Sequence, residues 1–304
     1  MSALILTTGE RRLSFGKSAE AAQNGVAIEI PMSGLCAQQI SPSVRIWYVP
    51  HSLETALADQ CGTLTTADAA EFASVRNAKK RQRSLATRSV LRKALSEVTG
   101  GRTAPHEWRF DRSELGKPAL AGGSGELHFS CSHTPWASVV AVSTAGPIGI
   151  DIESAVIPAS EEWLSDVFTP GERKALRTMD AEEREAAISR LWALKEAYLK
   201  MLGTGIAEVA SVAFDPCNDR LDSERKNRQG EPATFRTWIA KCQGRRLSVA
   251  IAMGGVGEEK VSRRQSIEEA RVCIRTKLAF AGNRAAARAA ALASLLRIPS
   301  AAAA

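Results

Sequence analysis

The amino-acid sequence predicts an α+β protein, and two observations indicate this class. Segments typical of strands and segments typical of helices follow one another between residues 44 and 252. Near the end of that region, 235–241 and 246–252 are two strand-like runs joined around Gln243 and Gly244, which predicts an antiparallel hairpin. Hairpins combined with helices favour α+β over a doubly wound parallel sheet.

The predicted strands before the hairpin are short runs rich in β-branched and aromatic residues. Ser52 is a candidate cap for a short helix after the first of them, and the turn residues of 144–147 precede the last. These strands are 44–49, 127–130, 138–143 and 148–153.

The predicted helices begin at capping boxes, in which a polar N-cap residue is followed three positions later by a glutamate. Candidate N-cap residues of this kind are Asp68, Thr169 and Asp180. The first predicts one long helix that ends at about Val98, before two glycines. Thr169 is followed directly by proline, which is favoured at the first helical position. The helix that begins after Asp180 is predicted to end at Gly203.

Composition narrows the class of protein. Of the 304 residues, 44% are hydrophobic and 24% charged, as in ordinary folded domains. No run approaches the roughly 18 apolar residues of a membrane-spanning helix, and the N-terminus lacks the order of a secretory signal. The six cysteines form no CxxC pair and the four histidines no HxxxH pair. We therefore expect a cytoplasmic protein with reduced thiols, without a zinc site and without a membrane partner.

The net charge of +7 is concentrated near the end of the chain. From Glu258 onward there are nine basic and four acidic residues, so residues 1–257 carry only +2. Affinity for nucleic acid would depend largely on that tail, and we expect no nucleic-acid partner. We interpret 1–43 as a loosely ordered N-terminal extension and 257–304 as a basic tail rich in alanine and arginine.

The most informative segment is 148–153, with the sequence Ile-Gly-Ile-Asp-Ile-Glu. Side chains alternate between the faces of a strand, so the three isoleucines are predicted core residues. Asp151 and Glu153 then share the opposite face, about 7 Å apart. Two such carboxylates repel each other unless a cation or solvent lies between them, and oxygen ligands suit Mg²⁺. The alternative is a merely polar face of an edge strand.

A second informative segment lies on the last predicted helix. Trp192, Glu196 and Lys200 are spaced by four residues, so they share one strip of the helix surface. Glu196 could supply a third carboxylate to the same ion, and Lys200 a cation for phosphate oxygens. The alternative is a solvent-exposed Glu–Lys pair worth about 0.3–0.5 kcal/mol, and spacing alone favours that alternative.

Together these segments resemble the paired signature of the Sfp-type 4′-phosphopantetheinyl transferases. The resemblance covers roughly residues 44–252, and Ser130 stands where the family usually has asparagine. The two main motifs are Gly149-Ile-Asp-Ile-Glu153 and Trp192-x-x-Lys-Glu-Ala-x-x-Lys200, at a matching interval. Three shorter motifs agree in order: Gly116-Lys117-Pro118, Phe129-Ser-Cys-Ser132-His133 and Gly203-Thr-Gly205.

The resemblance implies an enzyme that moves the phosphopantetheine arm of coenzyme A onto a serine hydroxyl of an apo acyl or peptidyl carrier protein, releasing 3′,5′-ADP. It implies that Asp151, Glu153 and Glu196 hold Mg²⁺, which binds the pyrophosphate of coenzyme A and offsets charge on the attacked phosphate. Either Glu196 or a metal-bound water is then the general base. Lys200 is the residue that stabilises the departing phosphate.

Coenzyme A also carries a 3′-phosphate, which requires a second anion site. Between Arg76 and Lys93 the chain has eight basic residues and no acidic one, a pattern typical of a solvated helix face. The resemblance assigns Arg83 to the 3′-phosphate. Considered apart from the resemblance, His133 is typical of a hydrogen-bonded structural histidine, and Ser132 of an ordinary hydroxyl at a strand end. Further contacts to coenzyme A are implied for Arg88, Lys117, Ser132, His133 and Lys195.

The resemblance also implies the architecture, namely two similar α/β subdomains, 44–147 and 148–256, with the active site between them in a monomer. Trp192 is expected to pack beneath the helix that carries Glu196. Two alternatives stay open, a non-catalytic relative that binds coenzyme A or a carrier protein, and a basic nucleic-acid-binding protein. Whether the carrier belongs to fatty-acid, polyketide or nonribosomal-peptide synthesis is not revealed by the sequence.

Overall fold

The computed structural model describes residues 27–31, 35–51, 62–112, 116–122, 125, 127–157, 159–217 and 233–254. The strands in this part of the chain are β1 (Ile28–Glu29), β2 (Cys36–Ser41), β3 (Val44–Pro50), β4 (Phe110–Arg112), β5 (Pro118–Leu120), β6 (His128–His133), β7 (Ala137–Ser143), β8 (Ile148–Ser154), β9 (Ala233–Cys242) and β10 (Arg245–Gly254). The α-helices are α1 (Thr66–Phe72), α2 (Ala78–Val98), α3 (Glu161–Val167), α4 (Pro170–Leu176) and α5 (Ala181–Leu202). The predicted cap Ser52 and the tail 257–304 lie outside the described residues.

Two four-stranded sheets organise the described chain. The first has the antiparallel order β2-β3-β7-β6, and the second has the order β1-β9-β10-β8. Within the second sheet β1 runs parallel to β9, whereas the other neighbours are antiparallel. A small ribbon joins β4 to β5. The α+β class is therefore confirmed, and so is the predicted hairpin of β9 and β10.

The sheets pack face to face, and each has a long helix on its outer face. Between the sheets, Ile46 and Tyr48 of β3 share one apolar cluster with Ile150 of β8. Helix α2 covers the first sheet, burying leucines and valines against β3, β6 and β7. Helix α5 covers the second sheet, where Leu194 and Tyr198 are almost fully buried. This burial of apolar surface is the main source of stability for such layers.

The single helix predicted from Asp68 to about Val98 is wrong, because the chain forms two helices there. Asn77 caps α2 by accepting a hydrogen bond from the Lys80 amide. Thr65, not Asp68, is the N-cap residue of α1, and Asp68 is the third helical residue of that box. Asp68 points inward and binds two arginines of α2, and these contacts between helices leave no signal in the local capping pattern.

The interpretation of 1–43 as loosely ordered is also wrong for residues 36–41. This segment forms β2, which pairs with β3 across a short turn, and Ile40 is buried in the core between the sheets. Residues 28–29 form β1 beside β9. Neither segment has clear alternation of apolar and polar residues, so its pairing depends on strands distant in sequence.

Two predictions about helix ends are confirmed. Thr169 caps α4 through a complete capping box, with Pro170 at the first helical position. Helix α5 ends at Gly203, which adopts the left-handed conformation with φ 74°. In the described part, no disulfide joins Cys36, Cys131, Cys217 and Cys242 to one another. In that same part, none of the helices has the length and apolar composition to traverse a lipid bilayer.

Candidate active site

The carboxylates of β8 are arranged as strand alternation predicts. The isoleucines at 148, 150 and 152 face the core between the sheets. Asp151 lies on the opposite face and is completely buried, while Glu153 is half-buried near the end of the strand. The alternative of an exposed polar face is therefore excluded for Asp151.

Helix α5 approaches β8 closely at Gly149. A Cβ atom at this position would lie 1.8 Å from the Ala197 carbonyl oxygen and 2.5 Å from the Met201 amide nitrogen. Only a residue without a side chain allows the helix backbone to lie this near the strand. The contact brings the side chains of Glu196 and Lys200 over Asp151.

Lys200 is bound by groups from three elements. Its Nζ lies 2.5 Å from Asp151 Oδ1, 3.1 Å from Ser132 Oγ and 3.2 Å from Glu196 Oε2. Burial alone would lower the pKa of Lys200, but the charges of Asp151 and Glu196 outweigh it and raise the pKa above its ordinary value. Lys200 is therefore a charged ammonium group at neutral pH.

Glu153 is held in an environment that disfavours its charge. Burial, and then the charge of Asp151, raise the pKa of Glu153 to about 7, although a hydrogen bond from Trp192 opposes this. Trp192 Nε1 donates that bond to Glu153 Oε1 at 3.3 Å. Sequence reasoning treated Trp192 as a packing residue and missed this contact, although its spacing from Glu196 and Lys200 already placed it on their strip of α5.

Glu196 shares the same electrostatic environment. Burial raises the pKa of Glu196, and the nearby Asp151 carboxylate raises it further, while Lys200 opposes both effects. Asp151 therefore lies close enough to Glu153 and Glu196 to raise the pKa of each, and the charge of Glu196 also raises the pKa of Glu153. The predicted convergence of Asp151, Glu153 and Glu196 agrees with this arrangement.

The donor chemistry of these residues suits a hard divalent cation. Asp151 Oδ2 is buried, and no residue in the described part of the chain donates a hydrogen bond to it. Within the described ranges, however, no three His, Cys, Asp or Glu side chains form a ready metal-binding group. The Lys200 ammonium group lies between Asp151 and Glu196, and it occupies space that a cation would need. The carboxylates therefore match Mg²⁺ in ligand type and charge, but they are not arranged in a coordination geometry.

A cavity of about 440 Å³ opens beside this cluster. Its walls come from α2, from the strand end at β6, from the turn at 116–118 and from the end of α5. Apolar side chains form much of it, including Leu91, Phe129 and Ile206. The predicted site residues at its surface are Arg88, Lys117, Ser132, His133, Glu196 and Lys200.

Three of the predicted phosphate contacts lie at or near this cavity. Lys117 donates a hydrogen bond to the Met201 carbonyl at 3.1 Å, and burial lowers the pKa of its ammonium group. Partial burial, and then the charges of Lys80, Lys200 and Arg83, lower the pKa of His133. Arg83 therefore lies on the side of His133, although it is not itself part of the cavity wall. The rim is positively charged, as an anionic substrate requires.

Ser132 has a different immediate role from the predicted one. Its hydroxyl donates a hydrogen bond to Asp151 Oδ1 at 2.6 Å and accepts one from Lys200 Nζ at 3.1 Å. The side chain is nearly buried, so its first partners are the residues of the cluster. Ser132 orients the carboxylate whether or not it also reaches a phosphate.

The structure does not bring Lys195 to the site, contrary to its predicted contact with coenzyme A. Lys195 is completely buried on the other side of α5, where its Nζ lies 2.8 Å from Glu172 Oε2. The ammonium group also donates to the carbonyls of Val167, Val209 and Val212. The turn of about 100° between adjacent helical residues separates it from Glu196 and Lys200.

Arg88 reaches the cavity wall, but its guanidinium group is directed to acidic residues of α1. It binds Asp68 at 3.1 Å and Glu71 at 2.8 Å, with only 6% of its side chain exposed. Arg92 is buried similarly and binds Asp68. These two arginines are thus internal and not part of a solvated helix face, and the predicted contact of Arg88 with coenzyme A is not supported.

Comparisons with known proteins agree with this arrangement. A family model of the 4′-phosphopantetheinyl transferase superfamily matches residues 147–252. The chain is 32% identical over 177 residues to the 4′-phosphopantetheinyl transferase HetI of Nostoc sp., covering 57% of this chain and 74% of that protein. It is 33% identical to AcpT of Salmonella typhimurium over 42% of this chain and 62% of that protein. It is 34% identical to the 4′-phosphopantetheinyl transferase Sfp of Bacillus subtilis over 38% of this chain and 49% of that protein.

The chain belongs to the 4′-phosphopantetheinyl transferase superfamily. Both motifs of the carboxylate cluster lie inside the matched region, since Asp151 and Glu196 fall between residues 147 and 252. The protein is accordingly an enzyme that transfers 4′-phosphopantetheine from coenzyme A to a carrier protein.

Proposed function

We propose that this transferase is of the Sfp type and that Asp151, Glu153 and Glu196 hold a Mg²⁺ ion for the reaction. The observation that carries the proposal is the convergence of these carboxylates beside a cavity with a basic rim. When bound, the ion would offset negative charge on the pyrophosphate of coenzyme A. The buried Asp151 Oδ2, which finds no hydrogen-bond donor among the described residues, supports this assignment.

The reaction is a displacement at phosphorus. The serine hydroxyl oxygen of the carrier protein forms a bond to the phosphopantetheinyl phosphorus, and the phosphorus–oxygen bond to 3′,5′-ADP breaks. The serine proton must leave its oxygen, and Glu196 at the cavity wall is the carboxylate of this chain that can hold it. The raised pKa of Glu196 makes its carboxylate a stronger base than an ordinary glutamate.

The basic residues divide between the two phosphate-bearing parts of coenzyme A, the pyrophosphate and the 3′-phosphate. Lys200 carries a positive charge beside the carboxylates, where it can stabilise charge on the departing phosphate. Lys117 and His133 lie on the cavity wall and can bind phosphate oxygens. Arg83, beyond His133, is the ligand proposed for the 3′-phosphate.

We further propose that the chain is built as two α+β halves, 44–147 and 148–256, that act as a monomer. One sheet and one long helix belong to each range, which supports the division. The short strands β1 and β2 precede the first range and extend both sheets. A cytoplasmic location stays a prediction from the sequence.

An intact-mass assay tests the proposed function. The protein is incubated with coenzyme A, Mg²⁺ and a panel of apo carrier proteins from fatty-acid, polyketide and nonribosomal-peptide systems. We expect a carrier to gain one phosphopantetheine at a serine, and the rate to fall at least about 100-fold in Asp151→Asn and Glu196→Gln. The matched control Glu185→Gln changes an exposed glutamate on the first part of α5 and should keep the wild-type rate.

Two outcomes would contradict the proposal. Near-normal transfer by Asp151→Asn or Glu196→Gln, with the control also active, would refute the carboxylate assignment. Tight binding of coenzyme A without modification of any carrier would favour a non-catalytic relative.

A further inference from the structure

We propose that Ser130 is a positioning residue for Asp151 and that it acts through the backbone of β8. This inference rests on the proposed function, because it takes Asp151 as a working carboxylate. Ser130 lies on the wall of the cavity, and its side chain binds the backbone of β8 rather than the Asp151 carboxylate. Its effect would be transmitted through one peptide group.

The setting is a meeting of two sheet edges. Strand β6 is the last strand of the first sheet and β8 the last strand of the second, and each pairs on one side only. An edge strand leaves every second backbone N–H and C=O without a partner in its own sheet. Here the two edges lie against each other in the interior, where such groups require other partners.

Ser130 supplies one of these partners. Its Oγ accepts a hydrogen bond from the Ile150 backbone N–H at 3.1 Å. Ser130 is 6% exposed and Ile150 is completely buried, so bulk water has little access to either group. The bonded N–H belongs to the residue immediately before Asp151, and fixing it limits where the Asp151 backbone can lie.

Ser132 completes the connection two residues further along the same face of β6. Its hydroxyl donates to Asp151 Oδ1 at 2.6 Å. The two serines thus bind β8 at consecutive residues, one at the backbone of Ile150 and the other at the side chain of Asp151. A backbone held by Ser130 keeps the Asp151 carboxylate within reach of Ser132 and Lys200.

The test compares Ser130→Ala with Ser130→Thr and with a matched control, Ser143→Ala. Ser143 is a buried strand serine whose Oγ accepts the backbone N–H groups of Ala145 and Gly146, in the turn that precedes β8. Ser143→Ala therefore removes the same kind of bond and leaves the bond between Ser130 and Ile150 in place. Ser130→Thr keeps a hydroxyl and a side chain that suits a strand.

The first measurement is amide hydrogen exchange of residues 148–153 in the absence of Mg²⁺ and coenzyme A. We expect Ser130→Ala to accelerate exchange at Ile150 about 10-fold or more, whereas Ser143→Ala leaves it unchanged. Unchanged exchange in Ser130→Ala would overturn the proposal. This measurement is independent of activity.

The second measurement is steady-state transfer with Mg²⁺ titration. For Ser130→Ala we expect about a 10-fold lower kcat and a weaker Mg²⁺ affinity by calorimetry, with the KM for coenzyme A within about twofold. Ser143→Ala and Ser130→Thr should resemble the wild type. If folded Ser130→Thr is as impaired as Ser130→Ala, the hydroxyl is not responsible and the proposal is overturned.

The two proposals fail in different ways. A wild-type protein that modifies no carrier would refute the proposed function, whatever Ser130 does. A wild-type protein that is active, together with a Ser130→Ala variant whose kcat and Mg²⁺ affinity equal those of Ser143→Ala, would refute the positioning role alone.

Discussion

Lys200 Nζ lies 2.5 Å from Asp151 Oδ1, although 49 residues separate them in the chain. The Asp151 side chain is 1% exposed and the Lys200 side chain 31% exposed, so this ion pair extends from the interior to the cavity surface. Glu196 joins it through a contact of 3.2 Å to the same Nζ. The pair connects the strand that carries one carboxylate with the helix that carries another.

A double-mutant cycle tests whether this pair is energetically coupled. In Mg²⁺-free buffer, Asp151→Asn and Lys200→Met should each lower the free energy of unfolding by roughly 1–3 kcal/mol, because each leaves a largely buried partner incompletely paired. The double variant should lose less than the sum of the two. Urea denaturation measures all four proteins, and strictly additive losses would contradict the coupling.

Lys195 and Lys117 should respond in opposite ways to substitution. Lys195→Met removes the buried partner of Glu172 and should lower the free energy of unfolding by roughly 3–5 kcal/mol, with little change in the KM for coenzyme A of the folded enzyme. Lys117→Met should raise that KM about 10-fold and cost about 1 kcal/mol of stability. Denaturation and steady-state kinetics separate the two. An increased KM in a stable Lys195→Met variant would restore its predicted role as a phosphate ligand.

Gly149 should be intolerant of any side chain. Gly149→Ala places a methyl group against the backbone of α5, and we expect a loss of about 3 kcal/mol or more in the free energy of unfolding. Gly171→Ala is the matched control, because its new Cβ would have no protein neighbour nearer than 4.0 Å. That change in the first turn of α4 should alter stability by less than about 1 kcal/mol. Equal thermal stability of the two variants would disprove the close approach.

Stability should depend on pH through Glu153. Folding raises the pKa of Glu153 from 4.5 to about 7, so the folded state binds the proton more tightly than the unfolded state. The free energy of unfolding therefore falls as the pH rises from about 4.5 through 7. In Mg²⁺-free buffer, Glu153→Gln should therefore be more stable than the wild type at pH 8, by roughly 1–2 kcal/mol once solvent around the half-buried group is considered.

This difference should shrink towards pH 5, where the wild-type carboxyl group is protonated in the folded state. Denaturation curves at several pH values provide the measurement. A stability difference between Glu153→Gln and the wild type that does not vary with pH would show that Glu153 keeps its ordinary pKa.

Substitution of Arg83 should weaken substrate binding, whereas substitution of Arg88 should lower the stability of the fold. Arg83→Ala should raise the KM for coenzyme A about 10-fold, because a charge-assisted contact to the 3′-phosphate is lost. The KM for an analogue of coenzyme A without that phosphate should stay unchanged. Arg88→Ala should instead lower stability, since Asp68 and Glu71 lose a partner. Equal losses by Arg83→Ala with both substrates would count against the 3′-phosphate site.

Acid should weaken the same region. Burial favours a raised pKa for Asp68, but hydrogen bonds from Arg92 and Thr65 outweigh it, and the pKa falls below its ordinary value. The stability that Asp68 contributes is thus present above about pH 4 and is lost as the pH falls through its folded-state pKa. The packing of α1 on α2 depends on this internal carboxylate.

The local geometry of the site can be predicted from the amino-acid sequence. Strand alternation assigned Asp151 and Glu153 to the face opposite the isoleucines, and the four-residue spacing on α5 placed Trp192, Glu196 and Lys200 on one strip. The motifs also predicted the family. These features follow from the fixed periods of strand and helix, which any short segment carries within itself.

Which charged groups lie in the interior depends on how the elements pack together in the folded protein. Lys195 and Arg88 have the residue types of phosphate ligands, but Glu172 and Asp68, distant in sequence, bind them in the interior. The hydrogen bond from Ile150 to Ser130 likewise has no signal in either segment alone. Ion pairs and side-chain contacts of this kind depend on which elements pack together and on how far water is excluded, and neither can be derived from the periodicity of a single element.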